Sequence, residues 1–93
     1  MNIYKIADSI EQLANEVGVF VAGAAVEKMQ PWDAAKVLDA TDIINAGAIL
    51  ASMDARRAAK IIAYSDPAWA ELIFDDMGEP WENAIKTVMG TSA

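Results

Sequence analysis

The chain contains neither cysteine nor histidine. Those two absences together exclude disulfides, zinc sites, haem ligation and thiol or imidazole catalysis. Cations are scarce as well: seven Lys and Arg stand against fourteen Asp and Glu, for a net charge of -7. Nucleic acid bound through its phosphates requires a basic face, and an anionic membrane surface requires the same, so neither is expected as a partner. Long apolar runs are also missing. The longest uncharged stretches, Val17 to Val26 and Ile43 to Met53, fall well short of the about 20 residues that cross a bilayer. No basic segment with a following apolar stretch and cleavage site opens the sequence. The expectation is therefore a soluble, cytoplasmic protein without membrane insertion.

What is present is hydrophobic and short. Fifty-five per cent of the 93 residues are apolar, much of that alanine. One domain, 1–93, is all that such a length supports, and its core is limited. Apolar surface in that proportion implies either contact with a protein partner or a second copy of the chain, or a tightly packed monomer in which alanine inflates the figure. The acidic balance fits a basic partner surface, a divalent cation or, most commonly, solubility alone.

A twelve-residue repeat organises residues 30–77. Segments starting at Gln30, Asp42, Asp54 and Asp66 align without gaps. Their fifth position is Ala34, Ala46, Ala58 and Ala70, and their eighth and ninth are Val37-Leu38, Ile49-Leu50, Ile61-Ile62 and Ile73-Phe74. Repeats of this length predict a stack of short helices, an architecture that presents surface to partners. Gln30, Asp42, Asp54, Asp66 and Glu79 stand at helix-cap positions, with Pro31, Pro67 and Pro80 at the first helical residue. Helices are expected at about 31–40, 43–52, 55–64, 67–76 and 80–89, ended by Gly78 and Gly90. The segment 78–93 reads as a capping unit with a frayed tail, Thr91-Ser92-Ala93, and an apolar stripe of Trp81, Ala84, Ile85, Val88 and Met89.

Residues 1–29 read as a longer N-terminal helix, or two joined ones, opened by Asn2. Its second half, Val17 to Val26, is apolar nearly all round, as a helix buried on more than one side would be. Gly18 and Gly23 inside it imply either close approach of another helix or a kink. Val21 is the position at which this helix would pair with its twin.

The run from Ala48 to Ile62, ASMDARRAAKII in its latter part, resembles the helical repeats of one superfamily. It comprises the cytosolic N-terminal domain of MgtE-type magnesium transporters and the related domains of flagellar motor-switch and motor-chaperone proteins. Met29 to Ala35 is a second match, and residues 30–77 carry the pattern. Ala55 stands where the family often has proline, and the first helix lies outside the motif. The resemblance implies a right-handed superhelix. No membrane-spanning segment accompanies the repeats here, so a transporter is not expected. The fold class expected overall is all-α: a right-handed superhelical stack of short helices with a longer N-terminal helix.

Few side chains offer chemistry. Asp75, Asp76, Glu79 and Glu82 cluster around the turn at Met77-Gly78 and form the one grouping suited to Mg²⁺. The spacing of a calcium loop is absent, and carboxylates near a helix start are explained by the helix dipole alone. Ser9, Ser52 and Ser65 have no base beside them in sequence, and neither a phosphate loop nor a nucleophile elbow occurs. An enzyme is not expected, and no cofactor beyond Mg²⁺. Arg56, Arg57 and Lys60 make the one basic patch, a docking point for a partner carboxylate or a solvated face pairing with Asp54 or Asp33. Among the tryptophans, Trp32 is the first choice for a partner surface, Trp81 is placed similarly, and Trp69 is assigned to the core. These features together predict a non-catalytic protein-binding module: an adaptor, chaperone or inhibitor. Two alternatives remain: a Mg²⁺-responsive regulatory module, and a phage or mobile-element protein that blocks a host factor.

Overall fold

Helix starts recur every twelve residues through the middle of the computed structural model, which describes residues 2–91. The described residues form seven α-helices and no strand: α1 (Ile3–Glu16), α2 (Val19–Glu27), α3 (Pro31–Asp39), α4 (Ile43–Ala51), α5 (Ala55–Ile62), α6 (Pro67–Met77) and α7 (Trp81–Thr91). Capping explains the starts. The Asp42 carboxylate accepts from Ile44 N–H at 2.8 Å and that of Asp66 from Ala68 N–H at 2.8 Å, each satisfying an amide that the first helical turn leaves free. Asn2 does the same for Lys5 N–H at 3.1 Å. Asp54 and Gln30 hold the cap position without a side-chain bond, and α3 relies on Pro31 instead.

The longer N-terminal helix is two helices. The chain breaks at Gly18, whose φ of 141° and ψ of 157° no residue with a Cβ adopts readily. Once the break is in place, α2 falls into the register of α3–α6. Its cap Gly18 stands twelve residues before Gln30, and Ala22 and Val26 occupy the buried fifth and ninth positions. At the other end, α7 begins at Trp81, so Pro80 lies in the preceding turn and Glu79 is not a cap. Gly90 is inside α7 rather than beyond it. Of the expected stripe on α7, Ile85 is buried and Val88 and Met89 are half-buried, while Trp81 and Ala84 face solvent. Ser92 and Ala93 lie outside the described residues.

Packing alternates. α1 packs on α3, α3 on α5 and α5 on α7, while α2 packs on α4 and α4 on α6. The helices thus form an odd row and an even row, joined at the ends where α1 meets α2 and α6 meets α7. All four repeat alanines and all eight residues of the apolar pairs are buried, and they make up most of the core between the rows. A radius of gyration of 11.9 Å equals that of a compact globule of this length, about 12 Å.

Close approach within the even row uses two glycines one helix pair apart. A Cβ on Gly23 would lie 2.5 Å from Ser52 Oγ, and one on Gly47 would lie 3.0 Å from Asp76 Oδ2. Ser52 and Asp76 occupy equivalent places on α4's end and on α6, as do Ile49 and Ile73, whose carbonyls lie beneath the same two sites. The Ser52 hydroxyl donates to Ile49 O at 2.6 Å and sits 3.4 Å from Val19 O, so it is held where an added methyl would strike it. Gly23→Ala and Ser52→Ala should therefore be non-additive. The double variant is expected to be more stable than the sum of the singles predicts, by about 1 kcal/mol in a denaturant-based double-mutant cycle. Simple additivity would mean that α2 and α4 lie further apart.

Candidate interaction surfaces

Within the twelve-residue register the third and seventh positions are exposed, save half-buried Ala48, and what occupies them depends on the row. On the even row the third positions are Phe20, Ile44 and Ala68 and the seventh are Ala24, Ala48 and Leu72. Phe20, Ile44 and Leu72 are 76%, 64% and 56% exposed. On the odd row the same positions hold Trp32 and Arg56, then Lys36 and Lys60. The charges follow the same division. Of the seven cations, Lys5, Lys36, Arg56, Arg57, Lys60 and Lys86 lie on odd helices and Lys28 caps the end of α2, so α2, α4 and α6 contain none. The charged residues of those three helices are all acidic: Glu27, Glu71, Asp75 and Asp76.

The even row also carries a groove. Ile44, Ala48 and Ala51, one line along α4, face Met77 at the end of α6 and Trp81 at the start of α7, and Asp76, over Gly47, also lines the groove. Trp81 is 49% exposed there. On α2, Phe20, Val21 and Ala24 form an exposed apolar stripe, so this helix is apolar on its buried face and on its free face alike.

The odd row presents a different surface. Trp32 and Tyr64 meet edge to face with ring centroids 5.9 Å apart, and Arg56 and Lys60 are exposed on the same row. Arg57 is not part of a free basic patch. Its Nη2 donates to Glu27 O at 2.6 Å and Met29 O at 2.7 Å, carbonyls at the end of α2 that no helical amide reaches. Sequence reading missed this role because its partners lie about thirty residues away. Glu11 is a second such case: its carboxylate accepts the Asp42 N–H and so ties α1 to the start of α4. Neither Asp54 nor Asp33 pairs with a cation; among the described residues the ion pair is Lys86–Glu82 at 2.6 Å.

The four carboxylates expected to hold Mg²⁺ do not converge. Glu82 turns to Lys86, Asp76 lies over Gly47 on α4, and Asp75 and Glu79 are exposed. Among the described residues no three acidic side chains are placed to share an ion. The three serine hydroxyls donate to main-chain carbonyls: Ser9 to Lys5, Ser52 to Ile49 and Ser65 to Ile61. Trp69 is half-buried against the core.

Asp39 carries an electrostatic penalty. It ends α3, where a negative charge opposes the helix dipole, and both desolvation and the Asp66 carboxylate raise its pKa above 3.8. The folded state therefore holds this proton more tightly than the unfolded chain does. The contribution is fully present below 3.8 and is lost as pH rises through the folded-state value. Asp39→Asn should melt higher than wild type at neutral pH, by a few tenths of a kcal/mol. The difference should vanish below pH 3.8, which thermal melts at several pH values would check.

No protein family, characterised protein or solved structure matches this chain.

Proposed function

We propose that this protein is a non-catalytic protein-binding module, acting in the cytoplasm as an adaptor, chaperone or inhibitor. The observation that carries the reading is the exposed face of α2. A helix apolar all round is ordinarily covered on every side, and this one leaves Phe20, Val21 and Ala24 in water. In the same proposal the twelve-residue register winds the helices as a right-handed superhelix. The kinship proposed is with the helical repeats of MgtE-type transporters and flagellar switch proteins, on the strength of residues 48–62. The reading is tested by isolating the tagged chain from its own cells and reconstituting the complex from purified components. One identified protein at fixed stoichiometry is expected, lost when Val21 is changed to glutamate. Turnover of a substrate by the purified chain, or a chain that reconstitutes with nothing, would contradict it.

A further inference from the structure

We infer that the even row of helices is the docking face and that its occupant is a cationic amphipathic helix of a partner protein. The inference rests on the protein-binding reading and assigns to it a surface and a partner chemistry.

Three observations converge. First, equivalent solvent positions are apolar on one row and cationic or aromatic on the other. Solubility alone would treat both rows alike, whereas interface centres are depleted of charge. Second, the groove between Ile44, Ala48 and Ala51 on one side and Met77 and Trp81 on the other is open and mostly apolar. An amphipathic helix lays its i, i+3/i+4, i+7 anchors into grooves of this kind. Third, the charge that lines the groove is negative: Asp76 borders it and no lysine or arginine does, while Glu71 and Asp75 lie near Lys86 of α7 and Glu27 lies beside Lys28. An occupant with apolar anchors therefore gains if its flanks are Lys or Arg and is repelled if they are acidic.

Charge also decides against a second copy. Two grooves set face to face would bring Asp76 against Asp76, with no cation lining either. An even row set against the odd row of another copy would be a head-to-tail contact, building a ring or a filament from chains that each carry a net charge of -7 and repel on approach. A protein of net charge -7 reaches complementarity more readily with a basic partner.

The test uses the full chain, isotopically labelled, and two synthetic helical probes of about 18 residues, five turns. One is built from leucine and lysine with helical periodicity, and the other has glutamate in place of each lysine. The leucine–lysine probe is expected to saturate the protein, with amide shifts concentrated at 20–24, 44–51 and 68–81, and the glutamate probe to leave them unmoved. Ile44→Asp should weaken binding about tenfold or more, the effect of losing a central apolar anchor. Ile44→Ser serves the same purpose should the charge disturb folding, and Lys60→Glu should leave affinity unchanged. Shifts spread over the acidic residues of every helix, or centred on Trp32, Arg56 and Lys60, would overturn the assignment. So would mass growth with concentration that Ile44→Asp abolishes, because the occupant would then be a second copy. A natural partner that Lys60→Glu releases and Ile44→Asp retains would overturn this inference while leaving the protein-binding reading intact.

Discussion

Ile49→Ala is expected to destabilise the fold by about 2–5 kcal/mol, and Ile44→Ala, in the same helix, by less than about 0.5 kcal/mol. Ile49 is wholly buried, and its carbonyl lies where α2 and α4 come close at Gly23. Truncation removes apolar burial and leaves a cavity that close-packed neighbours cannot collapse. Ile44 keeps 64% of its surface in water and has little transfer energy to lose. A domain of this size holds about 5–15 kcal/mol in total, so Ile49→Ala would consume a large share of it. The melting temperature should fall by 10 °C or more, at about 4–8 °C per kcal/mol. Urea unfolding of the two variants in parallel checks the result. Equal losses would mean that α4 is rotated about its axis and that the solvent face assigned to it is wrong.

Arg57→Ala should destabilise by about 2 kcal/mol, the scale of hydrogen bonds made by a charged donor. Its guanidinium closes the end of α2 through Glu27 O and Met29 O, and its side chain is half-buried in doing so. Removing it leaves two carbonyls partly shielded from water and takes one of two cations, the other being the cap residue Lys28, from the negative end of the α2 dipole. Lysine should restore less than half of the loss, since it lacks the planar fork and reaches less far. Arg56→Ala, one residue earlier and exposed, should change stability little. Amide exchange distinguishes the mechanism: amides of α2 should exchange faster in Arg57→Ala while those of α7 keep their protection. Uniform acceleration across the chain would indicate a general loss of packing instead.

Much of the helical layout was legible because its signals are local. Asp42, Asp66, Pro31 and Pro67 mark helix starts through bonds made within one turn, and the alanine and apolar-pair positions follow from helical spacing. The division of residues 3–27 was harder. In an apolar stretch such as Val17 to Val26 every spacing is satisfied at once, and the cap slot is filled by Gly18, which offers no side-chain acceptor. What identifies α2 as one more unit is its register with the later caps. Pro80 misled in a different way, since a proline near a helix start also fits the turn before it. Arg57 and Glu11 act on main-chain groups about thirty residues away, a distance at which sequence spacing carries no information. The same limit explains the carboxylates of 75–82: neighbours along the chain, they are turned apart by the change from α6 to α7.

The docking face was hidden for a related reason. Its period is two helices, because each helix packs on the one two places along. Comparing successive twelve-residue units mixes the rows, placing Ile44 beside Arg56 and Ala48 beside Lys60. Of the residues singled out from sequence, Trp32, Arg56 and Lys60 fall on the odd row and Val21 on the even, so one list joined two unlike surfaces.

The central claim is that a protein partner is held by the even row. The most direct measurement is the affinity of the reconstituted complex for wild type, Ile44→Asp and Lys60→Glu, each shown to melt as wild type does. The account predicts that Ile44→Asp loses about tenfold or more in affinity and that Lys60→Glu binds as wild type. Loss of binding in Lys60→Glu with full binding in Ile44→Asp would contradict it.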